Sequence, residues 1–449
     1  MNLWKYLIPC LIIITTNDDV FSQKTYTVEQ IVDEALNNNI AIRNAHREIN
    51  LAKETRKEAY SKFFPTVNAN ILCFQADKDM AKMKMNPSEL IPANLQASLA
   101  TSLPADMIAA LANPVSLSMM KNGAVASVTA LQPVYTGGVL TNSNKLTIIG
   151  QQAKAIQLSL TENNVEKTVN QYVWQLVALL QKEKTISMAQ QTVNEICKDV
   201  EVAVNVGVTL KNDLLQVQLR QNELESQMLK VKNGIGIMKM MIAQYCGLDT
   251  TDFIIIFNEE IFPPDLVKKE HLQTLIHTRE YALLEKQVEA TEIQKKIAWG
   301  QKLPTVAVGA GINYHNLLDN DRAFGMVFAT VSIPISDWWN GKHNERKKQM
   351  EFEQAIDEMN DKAQLLKINM DNAWNNLVET WQQIQVAKKS IEQARENLRI
   401  NKVCYKAGTL TLSDLLQAQL LLQNAEDKYI EAFAQYQIAM NNYKLTVEA

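Results

Sequence analysis

Glycine and proline are scarce in this chain of 449 residues, which contains 14 glycines and 11 prolines. Because these two residues interrupt regular secondary structure, their scarcity favours long continuous helices. The chain also lacks an excess of basic residues: its formal net charge is -4, which argues against nucleic acid as a partner. Charged residues make up 21% and hydrophobic residues 47% of the chain, which excludes a disordered protein.

Motifs that carry catalysis or hold a cofactor are missing. The five cysteines are scattered without a CxxC pair, and the five histidines form no HExxH or similar pattern. There is no GxSxG nucleophile motif, no phosphate-binding loop and no dinucleotide-binding fingerprint. We therefore expect neither an enzyme nor a cofactor-binding protein, and no metal site.

The N-terminus has the features of a secretory signal. Lys5 precedes a short apolar run over residues 7–14, and Ser22 offers a small residue for cleavage before Gln23. This pattern predicts a signal peptide over residues 1–22. No later stretch of about 18 apolar residues exists, so the mature chain could enter a membrane only through strands that close into a barrel.

The chain contains an internal duplication. Residues 205–219, NVGVTLKNDLLQVQL, match residues 406–420, KAGTLTLSDLLQAQL, at seven of fifteen positions. Two further landmarks, FPTV against LPTV and QPV against IPI, recur in the same order. Such self-similarity indicates two structural repeats. We place the first repeat at residues 23–248, an equatorial connector at 249–265 and the second repeat at 266–449.

Each repeat is predicted to contain one β-hairpin, at residues 63–135 and 303–336. Residues 305–314 alternate between large apolar side chains and small or polar ones, as expected for a barrel wall between lipid and lumen. The first hairpin is longer by about 38 residues, which predicts a long inserted loop. The alternation alone also fits half-buried hairpins in a soluble domain.

The remaining segments are predicted to be helical. Thr27 and Gln30 form a capping box that opens a helix running to about Lys62. Coiled-coil hairpins are predicted at residues 138–248 and 341–447, because apolar residues recur there at alternating spacings of three and four. In the second repeat this seam comprises Leu415, Ala418, Leu422, Ala425, Tyr429, Ala432, Tyr436, Ala439 and Tyr443.

Taken in order, these segments resemble the outer-membrane efflux protein family, the TolC-like channels. The resemblance lies in TVEQIVDEALNNN at residues 27–39, FPTV at 64–67, YTGG at 135–138, and the KAG and DLLQA segments that begin at Lys406 and Asp414. It implies a mainly α protein with membrane β structure. The family forms trimers in which four strands per protomer complete a twelve-stranded β-barrel, placed on a long antiparallel coiled-coil α-barrel.

The resemblance also implies a function and partners. The chain would be the outer-membrane channel of a tripartite efflux pump or type I secretion system in a Gram-negative bacterium, with its helical part in the periplasm. Its partners would be two further copies of itself, outer-membrane lipid, a periplasmic adaptor (a membrane fusion protein) and an inner-membrane pump of the RND or ABC type. The alternative is an exported coiled-coil scaffold or adhesin without transport activity.

The resemblance assigns roles to two groups of residues. The helical tips that meet an adaptor correspond to Gly207, Val208, Gly408, Thr409 and Leu410. The periplasmic aperture corresponds to Asp213, Gln216, Asp414 and Gln417, where Gln417 stands in place of a second aspartate; helix capping alone is the other role open to Asp414. A third group follows from position and not from the resemblance: Tyr135, Trp338 and Trp339 fall at predicted strand ends and suit an aromatic girdle at the membrane interface, with packing at the barrel-to-helix joint as the alternative.

Overall fold

The computed structural model describes residues 24–78, 80–92, 95, 104–119, 122–258, 261, 263–268, 270–317, 321–335 and 337–447. The predicted signal peptide lies outside these residues. None of the described helices is both long and apolar enough to cross a membrane.

The described chain is mainly helical. It has two long helices, Val139–Asn205 (α4) with 67 residues and Asp337–Lys406 (α8) with 70 residues. Each is followed by a return helix of 36 residues, Lys211–Cys246 (α5) and Leu412–Val447 (α9). In chain order the helices are α1 (Val28–Asn38), α2 (Ile40–Ser61), α3 (Ala105–Ala112), α4 (Val139–Asn205), α5 (Lys211–Cys246), α6 (His271–Leu275), α7 (Arg279–Gly300), α8 (Asp337–Lys406) and α9 (Leu412–Val447). Short 3₁₀ turns occur at Pro87–Leu90 and Pro264–Val267.

The strands form three separate sheets. They are β1 (Lys24–Thr27), β2 (Thr66–Gln75), β3 (Ala81–Met85), β4 (Val115–Met119), β5 (Asn122–Tyr135), β6 (Phe253–Ile256), β7 (Thr305–His315) and β8 (Arg322–Ser332). The largest sheet has the order β2-β5-β7-β8, β3 pairs with β4, and β1 pairs with β6. The first hairpin therefore contains more than a loop, since β3, β4 and α3 lie within the insertion.

The chain divides into two compact units. Among the described residues, the first unit takes those of 24–46, 157–281 and 363–447, and the second takes those of 47–156 and 282–362. These units do not follow the predicted repeats, because each unit takes part of both repeats. The two copies of the duplicated sequence therefore fold together within each unit.

In the second unit the four-stranded sheet is antiparallel throughout. Asn122 lies opposite Gln75, Val128 lies opposite Ile312, and Thr305 lies opposite Ser332. The register of β5 against β7 shifts between Pro133 and Tyr135, where proline removes one ladder hydrogen bond. The two predicted hairpins thus lie side by side in one sheet.

One face of this sheet is apolar and exposed, as the alternation in residues 305–314 predicts. Because directly paired residues share a face, the register brings apolar side chains of all four strands together. We call this the apolar sheet face, and its large exposed members are Val67, Ile71, Val128, Val308, Ile312, Tyr314, Val327 and Val331. On the opposite face Gly309 lies beneath the ring of Phe328, which leaves no room for a larger side chain.

In the first unit a core forms where α1, α4, α5 and β6 meet. Its fully buried side chains include Ile31, Val169, Ile242 and Phe253, while Trp174 packs edge-on against Phe433 at 5.7 Å between ring centroids. Burying each such side chain stabilises the fold by about 1.5–3 kcal/mol. The parallel pairing of β1 with β6 fastens the start of the described chain to the connector; the sequence analysis did not identify either strand.

The opening helix differs from its prediction. The capping box is present, with the Gln30 N–H donating to Thr27 Oγ1 and the Thr27 N–H donating to Gln30 Oε1. The helix does not run unbroken to Lys62, because Asn39 adopts an extended conformation between α1 and α2. Its buried side chain donates to the Tyr245 carbonyl at 3.0 Å and accepts the Ala41 N–H at 2.8 Å. Asn39 thereby caps α2.

The predicted seam of the second return helix is largely buried. Seven of its nine members are buried, and only Leu422 and Tyr429 are partly exposed. Tyr436 and Tyr443 pack against Trp381 and Trp374 of α8, at 5.5 and 5.3 Å between ring centroids. The alternation of tyrosine with alanine along α9 therefore reflects side chains that interlock with α8.

Candidate functional site

Two turns join the long helices to the return helices within the first unit. The first tip, residues 206–210, connects α4 to α5, and the second tip, residues 407–411, connects α8 to α9. Gly207 and Gly408 adopt left-handed conformations, with φ of 75° and 72°. Side chains other than glycine rarely take this conformation, and the two glycines therefore permit both turns.

Both tips use the same hydrogen-bond pattern to end the long helix. At the first tip, the N–H groups of Gly207 and Val208 donate to the carbonyls of Val204 and Ala203 at 3.0 and 2.8 Å. At the second tip, the N–H groups of Gly408 and Thr409 donate to the carbonyls of Tyr405 and Cys404 at 2.9 and 3.0 Å. This is the Schellman arrangement, which satisfies the last carbonyls of a helix.

The first tip exposes apolar side chains. Val206, Val208 and Leu210 are 68%, 78% and 72% exposed. Such side chains gain free energy when another surface covers them. At the second tip Leu410 is half-buried and Thr409 is exposed, and the Thr409 hydroxyl donates to the Cys404 carbonyl at 3.0 Å.

Asp414 caps the second return helix. Its carboxylate accepts the Thr411 N–H at 3.1 Å and the Thr411 hydroxyl at 2.6 Å, and its own N–H donates back to Thr411 Oγ1 at 3.2 Å. Hydrogen bonds from the Thr411 side chain and then its backbone lower the pKa of Asp414 below the usual 3.8. Asp414 therefore makes the hydrogen bonds of a helix cap, and its side chain is nevertheless exposed.

Asp213 occupies the matching position of the first tip in a different environment. It is half-buried, and it accepts a hydrogen bond from the Thr209 hydroxyl. Burial, and then the charges of Asp213 and Asp199, raise the pKa of Tyr405 on α8. Asp213 thus lies near the end of the other long helix. Gln216 is half-buried on α5, and Gln417 is exposed on α9.

A buried polar network beyond the tips links the two return helices. The Arg220 guanidinium is 7% exposed; it donates to Gln419 Oε1 at 3.3 Å and to Gln423 Oε1 at 2.6 Å. Its other partner is Glu223 at 3.0 Å, and Gln423 donates onward to Gln227 at 2.8 Å. A buried guanidinium is costly unless it is fully hydrogen-bonded, so this network ties α5 to α9.

Sequence reasoning missed this network, although one signal was available. Gln419 is one of the seven positions that are identical in the two repeats, and its counterpart is Gln218. Arg220 itself has Leu421 as its counterpart, so the repeat pattern alone does not point to an arginine that pairs across the helices.

The three aromatic residues assigned to a membrane interface lie at the strand-to-helix joints. Tyr135 is the last residue of β5 and is 48% exposed. Trp338 and Trp339 fall in the first turn of α8, and the Trp339 side chain is 77% exposed. The described residues contain no cluster of three His, Cys, Asp or Glu side chains that could hold a metal ion.

Comparisons with known proteins extend these observations. Residues 273–445 match the model of the family described as outer membrane efflux protein. No curated protein sequence matches the chain.

Solved structures share the fold at low sequence identity. The outer membrane protein VceC of Vibrio cholerae is 14% identical, with a TM-score of 0.71 over 94% of this chain and 95% of that one. The CmeC outer membrane channel of Campylobacter jejuni is 14% identical, with a TM-score of 0.73 over 94% and 85%. A membrane protein of Pseudomonas aeruginosa is 13% identical, with a TM-score of 0.76 over 96% and 92%.

Identities this low establish the fold rather than the activity. Together with the sequence match, they confirm the resemblance to the outer membrane efflux protein family, by sequence over residues 273–445 and by a TolC-like fold over at least 94% of the chain.

Proposed function

We propose that this protein is the outer-membrane channel of a tripartite efflux pump or a type I secretion system. It acts as a passive conduit from the periplasm to the exterior of a Gram-negative cell. The observation that carries the proposal is the apolar sheet face, on which side chains such as Ile71, Ile312 and Val327 are 77%, 66% and 86% exposed. A continuous apolar face on four strands suits contact with lipid.

The edges of this sheet support a homotrimer. Among the described strands, β2 and β8 each pair on one side only. Unpaired backbone groups cannot face lipid without a large cost. Three copies of a four-stranded sheet, joined edge to edge, would satisfy those groups by symmetry and form a twelve-stranded barrel. Tyr135, Trp338 and Trp339 would then lie at the membrane interface.

The tips support docking of a periplasmic adaptor. Val208 and Leu210 are exposed apolar side chains beside Gly207, and Gly408, Thr409 and Leu410 form the matching turn. An adaptor that covers them would bury apolar surface, and the energy for transport would come from an RND or ABC pump in the inner membrane. Crosslinking of the tagged protein in its cell envelope, followed by mass spectrometry, would identify the adaptor and the type of pump.

The decisive experiment is conductance in a planar lipid bilayer. A channel gives stepwise conductance and trimers that dissociate on heating, whereas an exported scaffold or adhesin gives neither. Within a conducting protein, Asp414→Ala tests the aperture formed by Asp213, Gln216, Asp414 and Gln417. We expect altered cation selectivity, with Ser413→Ala as the uncharged neighbouring control. If Asp414→Ala conducts like the wild type, the aperture assignment is wrong.

A further inference from the structure

A cavity in the first unit has asparagine as the most frequent residue of its lining. It has a volume of about 540 Å³ and is bounded by α4, α8, α9 and the residues that begin α7. Six of its fifteen lining residues are asparagines: Asn163, Asn164, Asn369, Asn372, Asn376 and Asn442. We call this the amide cavity.

The amides of α8 share one helix face. Asn369, Asn372 and Asn376 are spaced at i, i+3 and i+7, which aligns their side chains along a single stripe. Asparagine is unfavourable inside helices, because its side chain competes for backbone hydrogen bonds. Helix stability therefore does not explain why three aligned asparagines of α8 line this cavity.

Most of these amides have no partner within the described part of the chain. Asn163 accepts a hydrogen bond from Arg279 at 2.7 Å. Among the described residues, the side chains of the other five asparagines have no protein hydrogen-bond partner. Four of them are exposed, Asn164 on α4 and the three on α8, and Asn442 is half-buried. Each free amide offers two donors and an acceptor to a ligand.

The charge of the lining points to a neutral ligand. Lys167 and Glu280 are the only ionic side chains among the lining residues, and their charges cancel. Leu366, Met370 and Leu445 give the cavity an apolar floor. A ligand that matches this lining carries many hydroxyl or amide groups, no net charge and an apolar face.

We propose that the amide cavity binds a neutral N-acetylated glycan. The asparagine amides pair with sugar hydroxyls and acetamido groups, while the C–H face of a sugar ring and the acetamido methyl lie on the apolar floor. The choice of a cell-envelope glycan rests on the proposed periplasmic location of the helices. Binding of such a glycan in the periplasm attaches the channel to the glycan layer of the cell envelope.

The test is binding of chitotetraose, the β-1,4-linked tetramer of N-acetylglucosamine, to the full-length protein. The protein is held in a detergent without a sugar headgroup, and binding is followed by saturation-transfer NMR and calorimetry. Maltotetraose is the comparison ligand, since it has hydroxyls but no acetamido groups. We expect binding of chitotetraose, and binding at least tenfold weaker, or absent, for maltotetraose.

The matched variants lie on one helix. Asn372→Leu combined with Asn376→Leu removes two lining amides, and we expect affinity for chitotetraose to fall by about tenfold or more. Asn375→Leu, the adjacent asparagine that does not line the cavity, should leave affinity unchanged. Leucine is a strong helix former, so all three substitutions preserve α8.

Two results would overturn the proposal. One is the absence of chitotetraose binding, or an equal loss in Asn375→Leu. The other is a change of oligomeric state in the double variant alone, which would make the cavity a contact between copies of this chain. Bilayer conductance of the double variant should match the wild type, so failure of the glycan proposal remains distinct from failure of the channel proposal.

Discussion

The two tips share a backbone turn but differ in how firmly the following helix is held. At the second tip Leu412 and Leu415 are 3% and 2% exposed, and Thr411 and Asp414 form a capping box. At the first tip Leu210 takes the N-cap position without a side-chain hydrogen bond and is 72% exposed. Duplication has thus produced one tip that is anchored and one that offers apolar surface.

This difference suggests that the second tip stabilises the fold and the first tip binds a partner. Leu412 and Leu415 belong to one buried cluster with Val193 and Val200 of α4, and this burial stabilises the start of α9. The first tip loses stability by exposing Val208 and Leu210, and a docked adaptor would recover that free energy. Substitutions at matching positions of the two tips therefore test whether the second tip is held more firmly than the first.

The largest expected effect is at the matched leucines Leu415 and Leu214. Leu415→Ala removes a fully buried side chain, and we expect a loss of about 3 kcal/mol in the free energy of unfolding. Leu214 is half-buried, so Leu214→Ala should cost about 1 kcal/mol. Denaturant unfolding at matched protein concentration measures both values. Equal losses would contradict the idea that the second tip is the anchored one.

The next effect concerns the turn glycines, where the tips should behave alike. A Cβ added at Gly207 or Gly408 meets no atom within 4 Å, so the cost of alanine is purely conformational. We expect about 1–2 kcal/mol at each position from the left-handed backbone. Gly236, inside α5 with equally open surroundings, is the control, and alanine there should stabilise the protein by about 0.5–1 kcal/mol.

Unequal losses at Gly207 and Gly408 would show that the two turns are not equivalent in the assembled protein. Thermal unfolding of the three alanine variants, recorded side by side, gives the comparison directly. A loss at Gly236→Ala would instead indicate that the exposed face of α5 is packed by another copy.

Substitutions of the two N-cap residues should change the free energy of unfolding by smaller amounts, with opposite signs at the two tips. Thr411→Ala removes the capping hydroxyl, and we expect a loss of about 1 kcal/mol. Leu210 already has the extended backbone of an N-cap residue, and the Asp213 N–H donates to its carbonyl at 3.0 Å. Leu210→Thr adds a hydroxyl that can share this N–H, so we expect a gain of at most about 0.5 kcal/mol. Ser413→Ala serves as the control for helix propensity. A loss of stability in Leu210→Thr would contradict this account.

The sequence predicted those features whose signals are local. The capping box at Thr27, the turns at Gly207 and Gly408, and the alternation of residues 305–314 each depend on neighbours in the chain, and each is present. The hairpin positions followed from the repeat, because Pro65 and Pro304 mark matching strand entries.

Features that depend on distant residues were not predicted. Asn39 breaks the opening helix by bonding to Tyr245, and Phe253 pairs with Lys24. Arg220 is satisfied by Gln419 and Gln423 on another helix. No periodicity within a segment encodes these partners. The amide cavity was missed for the same reason, since its asparagines come from three helices.

The smallest expected effect is the acid dependence of the second tip. The hydrogen bonds from Thr411 lower the pKa of Asp414 below 3.8, so the folded protein favours the charged carboxylate. A carboxyl group with a lowered pKa contributes stability above the pKa of the unfolded chain, and that contribution disappears as the pH falls through the folded value. The stability advantage of the wild type over Asp414→Asn should therefore be constant near neutrality and shrink below about pH 3.8.

The background variant Thr411→Ala separates the cap from other acid effects. In that background Asp414 loses the hydroxyl that contributes most to its lowered pKa. Asp414→Asn should then show less change with pH than it does beside an intact Thr411. Melting temperatures of the four proteins between pH 3 and pH 7 test this coupling. If Asp414→Asn shows the same pH dependence in both backgrounds, the hydrogen bond from Thr411 is not what lowers the pKa of Asp414, and the aperture would be the remaining cause.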